Sequence, residues 1–380
     1  LALALVLVLA LGASSVALAD TIKIGGIAPL TGAASAYGLL VKDGVDLAVD
    51  EFNANGGLLG NQIEMVWLDD THDAVEATND YNQLVSEGIA ALIGPVTTTP
   101  TLAVAARAAT DNMPMITASA TAYDVTSAGG NVFRACFLDP FQGTVMANYA
   151  FQDGAKTAAV ITQLGDDYSS GLGNFFLKAF KALAGDAAIV ADEQFQTNQT
   201  DFKAILTNVK AANPDVIFAP SSIATAPLLI KQARELGITA KIMAGDTWEN
   251  VTIIENAGAD AEGITLSTFF DEADPTAAGF VKGFKEYLKA NPESMEKNGG
   301  EGVAAVSALG YDAYMTALAA IQAAGSVDSQ AIRDALPNVS ITGVTGAISF
   351  DENGDAKKDM AYIKTVESGA FKFLKTVTIQ

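Results

Sequence analysis

The chain has 380 residues, with 44 acidic against 22 basic side chains and a formal net charge of −22 at pH 7. A surface this acidic repels phosphate backbones, which argues against nucleic acid as a partner and is typical of a protein that its charge keeps in solution. Roughly 360 residues follow the apolar start of the chain, a length sufficient for two domains of ordinary size.

The chain starts with an uncharged, apolar segment over residues 1–19. Its core is rich in Leu, Ala and Val, and Ala17-Leu18-Ala19 has the small-x-small pattern of a cleavage site. We predict a cleaved signal peptide over residues 1–19 and a periplasmic protein that begins at Asp20. The segment is too short for a membrane anchor, and no later run is long and apolar enough to span a bilayer.

From Thr21 onward, short apolar runs typical of strands alternate with amphipathic helical runs, a pattern that predicts parallel βαβ units. The strands of the first series are predicted over Thr21–Pro29, Gln62–Leu68, Ala90–Gly94 and Pro114–Thr117. The helices between and after them are predicted over Leu39–Asn53, Ala74–Glu87 and Pro100–Asp111.

The same rhythm restarts at Ala158. A second series of strands is predicted over Ala158–Thr162, Ala188–Gln194, Asp215–Ala219 and Lys241–Ala244, with helices over Gly171–Ala184, Asp201–Ala212 and Ala226–Leu236. Two similar series joined by a stretch without this repeat predict an α/β fold with two lobes of one architecture.

Three segments are candidate crossings between the lobes: Phe133–Phe141, Gly263–Phe270 and Gly346–Phe350. Helices over Pro275–Ala290 and Glu301–Ala324 follow the second crossing, and strands over Met360–Thr365 and Phe371–Thr378 follow the third. We therefore expect lobe 1 to comprise residues 20–140 and 271–348, and lobe 2 to comprise residues 141–270 and 349–380. Three crossings form a hinge that suits closure around a ligand.

The sequence gives little support for a catalytic or metal-binding site. The single His, His72, lies in the acidic run 69–73, but no second His exists and Cys136 is distant in sequence, so we expect a solvated loop residue rather than a metal ligand. No nucleophile elbow, P-loop or HExxH motif occurs. Asn353-Gly354 in the acidic run 351–355 is typical of a hairpin turn rather than an EF-hand. We expect no catalytic residue, metal or cofactor, and an α/β enzyme with an unrecognised site stays open as an alternative.

Hydroxyl-bearing loops follow two strands of the first series. After Ala90–Gly94 the chain enters a helix, for which Thr98 or Thr99 is the predicted N-cap and Pro100 the first helical residue. Such a helix N-terminus at the carboxyl end of a strand suits a carboxylate. The loop Ser119–Thr121 follows the next strand at the same edge, where open α/β sheets bind ligands. A well-capped helix would explain the first loop alone, but the two loops together predict a shared carboxylate site.

The second series offers a complementary charge at the corresponding edge. Asp246 follows strand Lys241–Ala244 and can pair an ammonium group, with Trp248 as an apolar wall. Tyr168 and Ser222 follow two other strands of this series. Each residue alone could be a cap or a packed loop residue, but their common position favours a site for a zwitterion. The predicted ligand-binding residues are Tyr37, Thr98, Thr99, Ser119, Ala120, Thr121, Tyr168, Ser222, Asp246 and Trp248.

As a set, several segments resemble the periplasmic leucine/isoleucine/valine-binding proteins of ABC transporters, and the resemblance covers nearly all of residues 20–380. The matching segments are Ile24–Gly38, Asn53–Gly60, Asp69-Asp70, Ile93–Thr99, Ile116–Thr121, Asp166–Tyr168, Pro214-Asp215, Ala244–Trp248 and Ala361–Ile363. The resemblance implies a type I periplasmic binding fold with two flavodoxin-like or Rossmann-like lobes and a three-strand hinge. It also implies that the protein has no cofactor and that its partners are the permease subunits of the transporter. We expect a monomer.

The resemblance implies individual roles as well. Thr98 and Thr121 match residues whose hydroxyls hold the ligand carboxylate, and Ser119 matches one whose backbone contacts both charged groups. Asp246 replaces a Glu that pairs the ammonium. Tyr37 and Tyr168 match aromatic residues that line the cleft.

Besides Asp246, three positions depart from the family pattern. His72 and Thr97 stand where the disulfide-bearing members have Cys, so that bridge is absent, and Ser222 stands where they have a Tyr in the side-chain pocket. The expected function is delivery of a small apolar amino acid to an ABC importer. An amide, an aromatic amino acid or a carboxylic acid stays possible as the ligand, as does a sensory ligand-binding domain of the same fold.

Overall fold

The computed structural model describes residues 21–378 of the chain. The predicted signal peptide lies outside the described residues. Within residues 21–378, no helix combines the length and the apolar character that crossing a membrane requires.

Strands and helices alternate along most of the chain, which confirms the predicted α/β class. The strands are β1 Thr21–Ala28, β2 Gln62–Asp69, β3 Leu92–Ile93, β4 Met115–Thr117, β5 Val132–Arg134, β6 Ala158–Leu164, β7 Ile189–Gln196, β8 Val216–Phe218, β9 Lys241–Ala244, β10 Thr265–Thr268, β11 Ser340–Gly343, β12 Gly346–Ser349, β13 Met360–Glu367 and β14 Ala370–Thr378. The α-helices are α1 Ser35–Ala54, α2 Ala74–Ser86, α3 Thr98–Asp111, α4 Asp139–Gln152, α5 Asp167–Ala184, α6 Lys203–Ala212, α7 Ala226–Glu235, α8 Val251–Ala257, α9 Ala278–Ala290, α10 Pro292–Asn298, α11 Ala305–Ala324 and α12 Ser329–Ala335.

The two series of strands form two separate sheets. The first sheet is parallel, with the order β2-β1-β3-β4-β5. The second has the order β14-β13-β10-β9-β8-β6-β7, and β13 pairs antiparallel with both β10 and β14. Buried aliphatic side chains such as Ile24, Ile93 and Ile242 fill the space between each sheet and its helices. Because the strands of each sheet are mostly parallel, their carboxyl ends and the loops that follow them lie at one edge of that sheet.

The chain passes between the two structural units three times. After β5 it enters α4, which packs against α5 beside the second sheet. After β10 it returns to α9, α10 and α11, which pack against α1. After the hairpin of β11 and β12 it ends in β13 and β14. The lobe boundaries given from the sequence stay a prediction.

A close contact between α1 and α11 fixes this return. A Cβ at Gly44 would lie 1.9 Å from the carbonyl oxygen of Ser307, and a Cβ at Gly310 would lie 2.4 Å from that of Val41. Only glycine permits the two helix backbones to approach so closely. The late helix α11 is thereby packed onto an element that lies more than two hundred residues earlier in the chain.

Several element predictions need correction. The first helix begins at Ser35 rather than Leu39, and α4, α8, α10, α12 and β11 were not predicted. The last four are short, so hydrophobic periodicity gives little signal for them. The predicted turn at Asn353-Gly354 is confirmed, because Gly354 has a positive φ of 92° and Phe350 forms a bridge with Ala356 on its other side.

Candidate functional site

A cavity of about 490 Å³, part of it open to solvent, lies between the loops of the two sheets. Every residue that lines it follows the carboxyl end of a parallel strand. These residues are Ala34, Tyr37, His72, Val96, Thr97, Thr98, Ser119, Asp166, Tyr168, Ser222, Ile223 and Thr247. Five of the ten predicted site residues are among them: Tyr37, Thr98, Ser119, Tyr168 and Ser222.

The N-terminus of α3 forms part of the first wall. The helix begins at Thr98, and its N-cap is Thr97 in an extended conformation. The prediction of Thr98 or Thr99 as N-cap, with Pro100 as first helical residue, is therefore wrong. Thr97 makes no side-chain capping bond, and its hydroxyl lies 2.9 Å from Nδ1 of His72 instead. The first-turn N–H groups beside Thr98 provide donors suited to a carboxylate.

The loop after β4 completes this wall. Ser119 lines the cavity, and its hydroxyl donates to the carbonyl of Val96 at 3.0 Å, which ties the two loops together. Ala120 and Thr121 do not line the cavity, because both are fully buried behind it. The carbonyl of Ala120 accepts a bond from Arg134 at 3.2 Å. These two predicted contact residues support the wall in this geometry rather than forming its surface.

Asp246 lies behind the opposite wall and is only 1% exposed. Its Oδ2 accepts a hydrogen bond from the hydroxyl of Tyr37 at 3.0 Å. Its Oδ1 accepts bonds from Nε2 of Gln142 at 2.8 Å and from the hydroxyl of Tyr168 at 3.1 Å. Because Tyr37 belongs to α1 and Tyr168 to α5, the carboxylate joins the two sides of the cavity.

The electrostatics of Asp246 follow from this burial. Loss of solvation raises its pKa to about 6, against the lowering effect of the bonds from Gln142, Tyr37 and Tyr168. Burial also raises the pKa of each of the two tyrosines, so they remain hydrogen-bond donors. Among residues 21–378, no Lys, Arg or His forms an ion pair with Asp246. The site therefore combines a buried, ionisable carboxylate with neutral donors only.

Trp248 and Thr99 lie elsewhere than predicted. Trp248 is fully buried and its Nε1 donates to the carbonyl of Ser221 at 3.0 Å, so it supports the loop after β8 instead of forming a cavity wall. Thr99 lies outside the lining, and its hydroxyl donates to Oδ2 of Asp167 at 3.0 Å, a contact between α3 and α5. Neither residue lines the cavity in the structure, and a role for either in ligand binding stays a prediction.

His72 also needs correction. It is half-buried and lines the cavity, whereas the sequence predicted a solvated loop residue. The contact with Thr97, a residue of a different loop, explains the difference. In the part of the chain that the structure describes, no group of three or more His, Cys, Asp and Glu side chains is placed to hold a metal ion.

Sequence reasoning missed other members of the site. Gln142 on α4 contacts Asp246, but the sequence patterns predicted neither β5 nor α4, so no sequence signal indicated it. Asp166, Ile223 and Thr247 do follow parallel strands, and the rule that ligands bind at this edge could have found them.

The comparisons with known proteins agree with this architecture. The chain matches the periplasmic binding protein family model over residues 21–370, and it belongs to that family. It is 33% identical over 371 residues to the Leu/Ile/Val-binding protein BraC3 of Rhizobium johnstonii, with 96% of each chain covered.

Two solved structures share the fold. The leucine binding protein LivK from Thermotoga maritima has a TM-score of 0.85 and 35% identity, covering 94% of this chain and 99% of its own. LivJ from Streptococcus pneumoniae, a branched-chain amino acid transporter substrate binding protein in complex with isoleucine, has a TM-score of 0.85 and 32% identity, covering 95% and 99%. The predicted family and type I periplasmic binding fold are confirmed, and the family implies an extracytoplasmic location.

Proposed function

We propose that the chain is the substrate-binding protein of an ABC importer, which binds a small branched-chain amino acid in the cavity and delivers it to permease subunits. Membership of the periplasmic binding protein family supports a binding role without catalysis. The names of the relatives support the ligand class, since they are Leu/Ile/Val-binding, leucine-binding and isoleucine-bound proteins.

The observation that carries this proposal is the environment of Asp246. A buried carboxylate surrounded by three neutral donors loses solvation without gaining a cation from residues 21–378. The ammonium group of an amino acid supplies the missing positive charge. In the proposed complex the ammonium group bonds the carboxylate of Asp246 beside the hydroxyls of Tyr37 and Tyr168. Water is excluded as the cavity closes, which strengthens the pairing.

The first wall suits the other end of the ligand. Thr98 and Ser119 lie beside the N-terminus of α3, where unpaired N–H groups and the helix dipole favour a negative charge. The amino-acid carboxylate binds there in the proposed complex. A zwitterion thus has its negative group on the first-sheet side and its positive group on the second-sheet side.

The apolar lining suits a short aliphatic side chain. Ala34, Val96 and Ile223 contribute this surface. Burying a leucine-sized side chain contributes about 1.5–3 kcal/mol. A micromolar dissociation constant requires about 8 kcal/mol, so the charged ends must contribute most of the affinity.

The proposal also covers the division of the chain into lobes and its location in the cell. Residues 20–140 and 271–348 form lobe 1, residues 141–270 and 349–380 form lobe 2, and the three connections act as the hinge. The two-sheet topology supports this division. A signal peptide over residues 1–19 directs the chain to the periplasm, where it works as a monomer.

The proposal is tested by binding measurements on protein that has been unfolded and refolded to remove any bound ligand. A thermal-shift screen of the common amino acids should identify leucine, isoleucine or valine as stabilising ligands. Calorimetry on Asp246→Ala should then show at least tenfold weaker binding, because a hydrogen bond to a charged group contributes about 1.5–3 kcal/mol.

The matched control is Glu255→Ala, which removes an acidic group from the exposed face of α8. It should bind as the unmodified protein does. Unchanged affinity in Asp246→Ala would remove that residue from the site, and the absence of any shift with all amino acids would contradict the function itself.

A further inference from the structure

His72 is held in one orientation at the edge of the cavity. Its Nδ1 lies 2.9 Å from the hydroxyl of Thr97, and its backbone N–H donates to Oδ1 of Asp70 at 2.9 Å. The residue has a positive φ of 64°, a conformation that His and Asn adopt more readily than most residues. Its Nε2 forms no hydrogen bond with any residue in the range 21–378. One ring nitrogen of this cavity-lining residue therefore has no partner within the described residues.

Asp166 offers a second such atom from the opposite wall. It is 7% exposed, and its Oδ1 accepts the backbone N–H of Ser169 at 3.0 Å as the N-cap of α5. Within the described residues, its Oδ2 accepts no hydrogen bond. Burial raises the pKa of Asp166, and the nearby His72 ring opposes that effect. The capping role accounts for one carboxylate oxygen and leaves the other unassigned.

Most hydroxyls that line the cavity have partners within the described residues, and that of Thr98, which has none there, lies at the wall assigned above to the ligand carboxylate. Ser119 donates to Val96, Ser222 lies 3.3 Å from the hydroxyl of Thr225, and Thr247 donates to the carbonyl of Ser221 at 3.2 Å. Nε2 of His72 and Oδ2 of Asp166 therefore stand out as a pair of polar atoms from the two walls.

The pair is displaced from the proposed ammonium site. Asp166 follows β6 and Asp246 follows β9, with β8 between these two strands in the sheet. Two strand spacings correspond to about 10 Å. On the other wall, His72 follows β2, the edge strand of the first sheet. An amino acid whose ammonium group lies at Asp246 can thus direct its side chain toward this pair.

We propose that His72 and Asp166 form a polar subsite that takes a hydroxyl or amide donor on the side chain of the bound amino acid. The proposal rests on the function proposed above and extends the ligand class from aliphatic side chains to small polar ones of the same shape. A site built to bond a polar group discriminates strongly against an analogue that lacks it.

Two isosteric ligand pairs test the subsite: threonine against valine, and asparagine against leucine. Each pair keeps the shape of the side chain nearly constant and exchanges a polar group for a methyl-bearing one. Calorimetry gives the ratio of the dissociation constants, aliphatic over polar, for the refolded full chain. In the unmodified protein at least one polar member should bind with a measurable dissociation constant.

Two variants remove the subsite and keep the structural roles. His72→Asn preserves the positive φ and a polar atom near Thr97 but lacks the distal nitrogen. Asp166→Ser keeps an N-cap acceptor for α5 but removes the second oxygen. Each should lower the aliphatic-to-polar ratio at least fivefold. Thr110→Ala, at an exposed position of α3, is the control and should leave the ratio unchanged.

Each remaining outcome has a definite meaning. If both variants leave the ratio as it is, His72 is only a loop contact and Asp166 only a helix cap, and the subsite is refuted. Binding of valine and leucine with no detectable threonine or asparagine refutes it as well. If neither these four amino acids nor isoleucine binds, the proposed function fails together with the inference.

Discussion

Two buried carboxylates near the junction of the sheets differ in their partners. Asp355 is 6% exposed and forms an ion pair with Arg134, whose guanidinium also donates to the carbonyls of Ala120, Ala122 and Tyr123. Asp246 is buried still more deeply, at 1% exposed, but within residues 21–378 it accepts bonds only from neutral donors. A second buried pair, between Lys364 and Glu249 at 2.6 Å, resembles the first.

The difference separates a structural role from a binding role. A carboxylate that already has a buried cation gains nothing from a ligand ammonium, whereas one with neutral donors gains its full counter-charge. Changes at Arg134, at Asp246 and at Thr99 test this contrast.

The largest effect is expected on stability from Arg134→Met. This change leaves Asp355 buried without its cation and removes the donors to three carbonyl groups, which should cost about 3–5 kcal/mol. Urea unfolding followed by circular dichroism measures the loss. Arg107→Met is the control, since Arg107 forms an exposed pair with Asp111 at 3.5 Å and should cost less than about 1 kcal/mol. Equal losses in the two variants would show that the buried pair has no special role.

The second effect is a loss of amino-acid affinity in acid. The pKa of Asp246 is raised to about 6, so below that pH the carboxyl becomes neutral and loses its attraction for an ammonium group. Affinity should therefore fall as the pH decreases through about 6, approaching tenfold per pH unit.

The contribution of Asp246 to stability should change in the opposite direction. Because folding raises the pKa of this carboxyl, the native state binds the proton more tightly, and the contribution grows as the pH falls from about 6 toward 4.

Calorimetry at pH 7.5, 6 and 5 measures the affinity. In Asp246→Asn the decline between pH 7.5 and 5 should disappear, and a decline that persists in this variant would assign the effect to another group.

The smallest effect is expected from Thr99→Val. The variant keeps the side-chain shape and removes the hydroxyl that donates to Asp167, a contact between α3 and α5. Loss of one such bond costs about 0.5–1.5 kcal/mol, so ligand dissociation should accelerate two- to tenfold. Stopped-flow fluorescence gives the rate. Thr110→Val provides the comparison in the same helix, and equal dissociation rates in both variants would show that the contact does not hold the closed form.

Much of the fold could be predicted from local patterns. The predicted bounds of β9 are those observed, and those of β1, β2 and α2 differ from the observed ones by a single residue at one end. Strong hydrophobic periodicity and clear turn residues make such elements predictable from the sequence. Short elements without a period, such as α10 and α12, could not be found in this way.

The loops that carry the site could also be predicted from the sequence, because parallel strands place their following loops at one edge. Tertiary packing decided the rest. The contact of His72 with Thr97 joins residues 25 positions apart, and that of Gln142 with Asp246 joins residues 104 positions apart. Nothing in a local pattern records which buried carboxylate receives an arginine and which receives only hydroxyls and an amide. That choice depends on three-dimensional proximity, and it is the one from which the proposed binding chemistry follows.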